Sequence, residues 1–218
     1  MRQLAPDVWQ LSGFPPNAFN VYVIGDVLID AGTRWAERRI ERQLTARPRM
    51  LALTHVHPDH QGSAHALCRR WDIPLACHEA DAPVMAGRRR MQPDNFVMRC
   101  SKRLFAGPTW PVDRHLAEGD ELAGFRVLHT PGHTAGHVAL FRERDRVAII
   151  GDVLNGMHLL TMWPGLHEPP RYFSTDWAEN RRSIQRVAEL EPRLLLFGHG
   201  PPCHDMLAFQ RFAKRLGE

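Results

Sequence analysis

The sequence lacks long hydrophobic runs. Its purely apolar stretches, such as "VAII" at 147–150 and "LLLF" at 194–197, are far shorter than the ~20 residues that span a bilayer. The opening residues "MRQLAPDVWQLSG" contain no continuous apolar segment of the kind found in a secretion signal. We therefore expect no membrane span, no membrane partner and a cytoplasmic location.

Cysteine is also scarce. The four cysteines are Cys68, Cys77, Cys100 and Cys203. They form no CxxC pair and have no regular spacing, which argues against a disulfide framework and against a cysteine zinc site. We interpret them as reduced thiols.

Neither sign of charge dominates the chain. The formal net charge is +4, and the basic residues are spread along the sequence except for the arginines at 88–90. Such a run is typical of a solvated loop or helix face, and contact with an acidic substrate or phosphate groups is the alternative. We therefore do not expect a nucleic-acid partner.

The chain otherwise has the composition of an ordinary folded protein. It has 218 residues, of which 44% are hydrophobic and 24% charged, and this favours one domain spanning 1–218. Apolar segments bounded by Gly, Pro or Asp predict strands at "NVYVIGDVLIDAG" (two strands turning at Gly25-Asp26), "MLALT", "IPLAC", "FRVLHT", "HVALF", "RVAIIGD" and "RLLLFGH". Apolar positions three and four apart predict helices over 33–46, 61–71, 175–190 and 205–216.

Strands that alternate with helices indicate the α/β class, with layered sheets. The region 81–120 is rich in Arg, Met and Pro and has weak periodicity. We interpret it as an insertion or a lid beside the functional site.

The stretch "LALTHVHPDHQGSAH" at 51–65 concentrates histidine directly after an apolar segment. His55 and His57 alternate at the end of a strand, so both side chains can face one point. Pro58 ends the strand, and the turn that follows can direct Asp59 and His60 to a second point nearby. Imidazole and carboxylate suit zinc, iron, manganese and cobalt, so the spacing predicts two adjacent metal ions.

More ligand-type residues follow other predicted strands. His133 comes after "FRVLHT", Asp152 after "VAII" and His199 after "LLLF", at strand ends where loops present functional groups. Asp30 follows a fourth strand, in "LIDAG". A carboxylate there can accept a hydrogen bond from a ligand histidine and orient it.

These segments, in this order, resemble the metallo-β-lactamase superfamily of metal-dependent hydrolases. The resemblance extends from Asp30 to "GHGPP" at 198–202 and implies a four-layer αββα sandwich with the metals at one edge of the two sheets. It implies one metal held by His55, His57 and His133, a second held by Asp59, His60 and His199, and a bridge between them from Asp152. His137 is not implied as a ligand.

The implied cofactors are two divalent ions, with zinc expected first and iron or manganese as alternatives. Bound zinc lowers the pKa of water from ~15.7 to ~7, so a hydroxide held between the two ions is the expected nucleophile. Asp59 is expected to pass a proton to the leaving group as well.

The aspartate bridge is similar to that of glyoxalase II-type thioesterases, lactonases and phosphodiesterases, and unlike that of true β-lactamases. The resemblance therefore predicts a dinuclear hydrolase of a small ester, thioester or lactone. Strict glyoxalase II activity is not expected, because little sequence follows His199 to form a glutathione-binding domain. A phosphodiesterase or nuclease that uses the arginines at 88–90, or a mononuclear iron persulfide dioxygenase, are the alternatives. A monomer and a homodimer are both left open.

The segment 155–173 follows Asp152 and is rich in Met and aromatic residues. These side chains either pack on the core or contact an apolar part of the small-molecule substrate. Tyr172 is a candidate catalytic residue, because some lactonases of the superfamily place a tyrosine where it hydrogen-bonds the substrate carbonyl.

Overall fold

The computed structural model describes residues 1–217, and two main β-sheets form its centre. The first sheet has seven strands in sequence order, with antiparallel pairing up to β4 and parallel pairing from β4 onward. Its strands are β1 (Arg2–Ala5), β2 (Val8–Gln10), β3 (Tyr22–Ile24), β4 (Val27–Ile29), β5 (Met50–Ala52), β6 (Leu75–His78) and β7 (Arg114–Leu116).

The second sheet has five strands, and the last strand of the chain lies at one of its edges. Its members are β8 (Glu121–Leu122), β9 (Phe125–His129), β10 (Val138–Arg142), β11 (Val147–Ile149) and β14 (Leu194–Leu196), in the order β14-β11-β10-β9-β8. β11 and β14 are parallel. A separate hairpin pairs β12 (Asn155–Met157) with β13 (Pro164–His167).

The described residues also contain seven helices and one 3-10 turn. They are α1 (Glu37–Glu41), α2 (Pro58–Gln61), α3 (Ala64–Trp71), α4 (Ala82–Met85), α5 (Phe96–Phe105), the 3-10 turn at Arg171–Phe173, α6 (Trp177–Glu189) and α7 (Met206–Leu216). Within residues 1–217 no helix is long and apolar enough to cross a membrane.

Three apolar clusters show that the elements form four layers. Alternate residues of a strand face opposite sides, so in β4 Leu28 packs towards the outer helices while Ile29 packs between the sheets. In β9, Val127 joins the same central cluster and Leu128 joins the cluster beneath α6 and α7. The predicted αββα sandwich is therefore confirmed.

The local predictions succeed for the strands with continuous apolar runs and miss several short elements. The predicted strands are present, including the β3-β4 turn at Gly25, whose φ of +53° suits glycine. The helix predicted over 33–46 is only Glu37–Glu41, and β1, β2 and the β12-β13 hairpin were not predicted. The region 81–120 contains α4, α5 and β7, which pairs with β6 in the first sheet. Its role as a lid, and the single-domain organisation, stay predictions.

Candidate metal centre

The candidate ligands converge because they follow strands that end at the same edge of the sandwich. β4 and β5 are parallel neighbours in one sheet, and β11 and β14 are parallel neighbours in the other. Carboxyl ends of parallel strands meet at one edge. The loops after these four strands carry Asp30, the histidine motif, Asp152 and His199, and the loop after β9 carries His133.

The seven predicted ligands form three overlapping groups that could each hold a metal ion. The groups are His55 with His57 and His133, His55 with His60 and Asp152, and Asp59 with His60 and His199, and in each the ligand atoms lie within 4.8 Å of one another. All seven are buried except Asp59, which is partly exposed. The structure thus brings together all the residues that the motifs singled out.

Asp152 lies between the two sides of this centre. Its Oδ1 is 3.4 Å from the Nε2 of His60, and its Oδ2 is 3.0 Å from the Nε2 of His199 and 3.6 Å from the Nε2 of His133. One carboxylate therefore lies close to His133 of the first implied ligand set and to His60 and His199 of the second. A side chain on residue 198 would collide with this carboxylate and with His60, so glycine is required at Gly198.

The second nitrogen of each candidate ligand histidine has a partner outside the centre. These contacts are His55 Nδ1 with Thr54 Oγ1 at 3.1 Å, His57 Nε2 with the Gln92 carbonyl at 3.1 Å, His60 Nδ1 with Asp30 Oδ2 at 2.8 Å, His133 Nδ1 with Ser174 Oγ at 3.3 Å and His199 Nδ1 with the Ala18 carbonyl. Such partners fix the tautomer and direct the other nitrogen towards a metal. That nitrogen is Nδ1 in His57 and Nε2 in the other four.

Buried polar atoms without partners test whether the residues fit a metal. The Nε2 atoms of His55, His60 and His133 and the Oδ1 of Asp152 are buried and form no hydrogen bond among the described residues. Each such atom costs about 1–3 kcal/mol when it is left unsatisfied. Divalent cations held by the groups to which these atoms belong would satisfy all four, so the donor set fits a metal.

The buried groups of the centre have strongly shifted pKa values. Burial, followed by the neighbouring histidines, holds the pKa of His55 and of His133 well below the usual value, so both rings are neutral. Burial opposes ionisation of Asp152, but His199 and His60 outweigh it and keep its pKa well below the usual value. Burial lowers the pKa of His199, but the neighbouring carboxylates of Asp152 and Asp59 have the larger effect and raise this pKa to about 10. A cation bound there would replace the proton on His199.

Asp30 contacts His60, as the orienting role proposed from the sequence requires. It is buried and accepts a hydrogen bond from His60, and also from the backbone N–H and the hydroxyl of Thr54. His137, which was not predicted as a ligand, accepts a hydrogen bond from the backbone N–H of Asp152 at its Nε2, at 3.0 Å. It supports the Asp152 loop from outside the centre.

Asp81 is a supporting residue that sequence reasoning missed. Its buried carboxylate accepts hydrogen bonds from the N–H of Val56 at 3.1 Å, the hydroxyl of Thr134 at 2.8 Å and the N–H of Gly136 at 2.9 Å. It thus joins the loop of His55 and His57 to the loop of His133. The sequence signal that identified Asp30 was also present for Asp81, because Asp81 follows shortly after the strand β6.

A cavity of about 360 Å³ opens onto the centre. His57, Asp59, His133, Asp152 and His199 line its base. Its remaining walls are mostly apolar and come from residues far apart in the sequence: Pro15, Ala18, Phe19, Pro58, Val97, Met98, Ser101, Phe105, Asn155, Met157, Leu159, Leu160, Met162, Pro169, Pro170, Tyr172 and Phe173. No lysine or arginine within residues 1–217 lines this cavity.

Tyr172 lies at the mouth of the cavity, with 41% of its surface exposed. Asn155 lies deeper, and its buried Oδ1 forms no hydrogen bond among the described residues. The arginines at 88–90 line a different cavity, near Gln61 and Lys102.

Comparison with known proteins agrees with this geometry. A family model described as the metallo-beta-lactamase superfamily matches residues 15–199. The probable metallo-hydrolase YflN of Bacillus subtilis is 32% identical over 200 residues, which are 81% of this chain and 75% of that protein. The hydroxyacylglutathione hydrolase of Bdellovibrio bacteriovorus is 24% identical over 151 residues, 67% of this chain and 47% of the relative. The crystal structure of TTHA1623 in a di-iron-bound form superposes with a TM-score of 0.65 at 28% identity, covering 93% of each chain.

The chain belongs to the metallo-beta-lactamase superfamily and is a metal-dependent hydrolase. The resemblance inferred from its motifs is therefore confirmed.

Proposed function

We propose that the protein hydrolyses a small, uncharged ester, thioester or lactone at a centre of two divalent metal ions, with zinc as the expected metal. The position of Asp152 carries this proposal. Because this carboxylate lies close to His133 of one ligand set and to His60 and His199 of the other, it suits two ions better than one. The di-iron form of TTHA1623 supports the count of two.

The two sets of ligands divide as the motifs imply. His55, His57 and His133 would hold one ion, and Asp59, His60 and His199 the other, with Asp152 shared. These are imidazoles and carboxylates, the donors that zinc, iron and manganese accept. When bound, such ions lower the pKa of water towards ~7 and polarise a carbonyl oxygen.

Asp59 is placed to move a proton during the reaction. Its carboxylate lines the cavity, and its Oδ2 lies 3.3 Å from the Nε2 of His199. Burial raises the pKa of Asp59, but the hydrogen bond from His199 outweighs this and lowers it. Asp59 is therefore ionised, and its carboxylate can take the proton of the attacking water and pass it to the leaving oxygen or sulfur.

Tyr172 and Asn155 would position the substrate. The Tyr172 phenol at the cavity mouth can donate a hydrogen bond to the substrate carbonyl, as the resemblance to lactonases implies. Asn155, the first residue of β12, offers a buried amide on the cavity wall. An amide is uncharged, which agrees with an uncharged substrate.

The apolar wall of the cavity supports an uncharged substrate. A phosphodiester brings fixed negative charge, which proteins usually meet with lysine or arginine. Within residues 1–217 the cavity wall offers neither, and the arginines at 88–90 line another cavity. This favours acyl transfer over the phosphodiesterase or nuclease alternative.

A substrate panel tests this proposal. The metal-loaded protein is assayed with uncharged thioesters, lactones and aryl esters, and with bis(p-nitrophenyl) phosphate. We expect hydrolysis of the uncharged acyl compounds and little of the phosphodiester. Preferential cleavage of the phosphodiester would overturn the proposal in favour of a nuclease. One iron per chain with oxygen consumption on a persulfide would overturn it in favour of the dioxygenase.

A further inference from the structure

The mouth of the cavity is surrounded by exposed apolar side chains. Val97, Leu160, Met162 and Tyr172 are exposed and line the cavity itself. Five more adjoin residues that line the cavity: Phe14, Phe96, Leu104 and Trp163 are next in sequence to Pro15, Val97, Phe105 and Met162, and Trp35 packs against Phe105. Together they form a surface that we call the mouth rim: Phe14, Trp35, Phe96, Val97, Leu104, Leu160, Met162, Trp163 and Tyr172.

Several members of the mouth rim are too exposed to act in packing. Phe14 is 87% exposed, Leu160 81%, Trp163 74% and Phe96 73%. They come from distant segments that tertiary contacts join: Trp35 packs edge-on against Phe105 at 6.2 Å. Single exposed apolar residues are common, but a group of this kind around one opening marks an interaction surface.

Exposed cations border the mouth rim along α5. Arg99, Lys102 and Arg103 lie on the helix, and the arginines at 88–90 lie beside it, since Arg90, Arg99 and Lys102 surround one small cavity. We call these six residues the basic belt: Arg88, Arg89, Arg90, Arg99, Lys102 and Arg103. Asp94 pairs with Arg90 at 3.5 Å and with Arg99 at 3.1 Å. In the described part of the chain, the other four belt residues form no ion pair.

Helix α5 joins the two surfaces. Phe96, Cys100 and Leu104 are four residues apart and share one exposed side, next to the cavity-lining Val97. The three cations of the helix are three and four residues apart and share the adjoining side. The buried Met98 and Ser101 hold the helix against the protein. The exposed part of α5 is thus amphipathic.

We propose that the mouth rim and the basic belt together bind the surface of an anionic lipid bilayer, with the cavity opening towards the lipid. Exposed Trp, Phe and Leu side chains insert at the depth of the lipid headgroups, while neighbouring Lys and Arg attract anionic lipids. Charge complementarity selects this partner over a second copy of the chain. A two-fold dimer through the same face would place two basic belts against each other.

This inference goes beyond the proposed hydrolysis and does not depend on it. It also revises the expectation of no membrane partner. That expectation rested on continuous apolar runs, whereas the mouth rim is assembled from residues between Phe14 and Tyr172 that only the fold brings together.

Vesicle co-sedimentation tests the proposal. The purified metal-loaded protein is mixed with vesicles of phosphatidylcholine alone or with added phosphatidylserine. We expect binding to the phosphatidylserine vesicles that weakens with added salt, and much weaker binding to phosphatidylcholine alone. The double variant Lys102→Gln with Arg103→Gln should bind the anionic vesicles roughly tenfold to thirtyfold more weakly. Phe96→Ser with Trp163→Ser should lower affinity at least about tenfold.

Matched changes elsewhere on the surface provide the controls. Leu207 is 71% exposed on α7 and does not line the cavity, and Arg211 and Lys214 are exposed cations on the same helix. Leu207→Ser, and Arg211→Gln with Lys214→Gln, should leave vesicle binding unchanged. Thermal unfolding of every variant checks that the fold is retained.

Three results would overturn the proposal. The first is wild-type protein that binds neither kind of vesicle. The second is binding that the control changes reduce as much as the mouth-rim and belt changes do. The third is a wild-type dimer in light scattering that Phe96→Ser with Trp163→Ser converts to a monomer, because a second copy would then cover the surface.

Discussion

The carboxylate of Asp30 lies 2.8 Å from the Nδ1 of His60 and fixes the direction of that ring. The same carboxylate accepts a hydrogen bond from the Thr54 hydroxyl at 2.9 Å, and the Thr54 oxygen lies 3.1 Å from the Nδ1 of His55. One buried acid therefore orients a histidine in each of the two proposed ligand sets. This shared support couples the two halves of the centre.

Replacing Asp30 by asparagine should weaken metal binding. Asparagine keeps the size of the side chain and tolerates the left-handed backbone at this position, where φ is +61°. It removes the charge that holds the His60 proton, so we expect a loss of metal affinity of about 10- to 100-fold. Metal titration against a competing chelator measures it. Asp26→Asn, at an exposed ion pair with Arg49, is the control, and equal affinities in the two variants would contradict this role.

The clustering of the seven proposed ligands could be predicted from the sequence, because each one follows a buried strand and strand ends can be recognised from apolar patterning. The supporting contacts were harder to predict. The Gln92 and Ala18 carbonyls and the Ser174 hydroxyl reach ligand histidines only through tertiary proximity. No local pattern marks such partners.

The elements that the sequence did not predict also depend on tertiary structure. β12 and β13 contain Gly156, Pro164 and Gly165, which are unfavourable in strands, so the pairing arises from the fold. Helix α5 buries only Met98 and Ser101 fully, because its apolar residues also form part of the mouth rim. The apolar residues of α5 therefore do not form a single stripe that faces the core.

Asp81 should stabilise the centre by holding two loops together. In Asp81→Asn the new NH2 group faces either the N–H of Gly136 or the N–H of Val56 and the hydroxyl of Thr134, and a buried unsatisfied group costs about 1–3 kcal/mol. For a chain of this size that lowers the melting temperature by roughly 2–4 °C per kcal/mol. Calorimetry measures the shift, and metal affinity should fall with it. An unchanged melting temperature would exclude this role.

His137 should make the protein sensitive to acid. Burial lowers its pKa to about 3 from the ordinary 6.5, so the folded protein keeps the ring neutral while the unfolded chain binds a proton below pH 6.5. The free energy of unfolding therefore falls as the pH falls towards 3, by about 1.4 kcal/mol per pH unit from this residue. In His137→Gln, the free energy of unfolding should fall less steeply between about pH 6 and pH 4, by the equivalent of one bound proton. Urea unfolding in the presence of a chelator measures both slopes, and parallel slopes would refute the assignment.

A cation placed at the cavity mouth should change substrate preference. Val97 lines the cavity and is 41% exposed, so Val97→Lys adds a positive charge with little effect on folding. We expect kcat/KM for an ester with a carboxylate on its acyl chain to rise roughly three- to tenfold relative to its uncharged analogue. Leu207→Lys, far along the chain on α7, is the control. No change in the ratio would argue against this cavity as the substrate site.

The most direct test is a metal titration of hydrolysis. Protein stripped by a chelator is given increasing zinc, and the rate on an uncharged thioester or lactone is followed against equivalents of metal per chain. We predict no activity without metal and a full rate only at two equivalents, with Asp152→Asn inactive throughout. A full rate at one equivalent, or hydrolysis by the metal-free protein, would contradict the two-metal account.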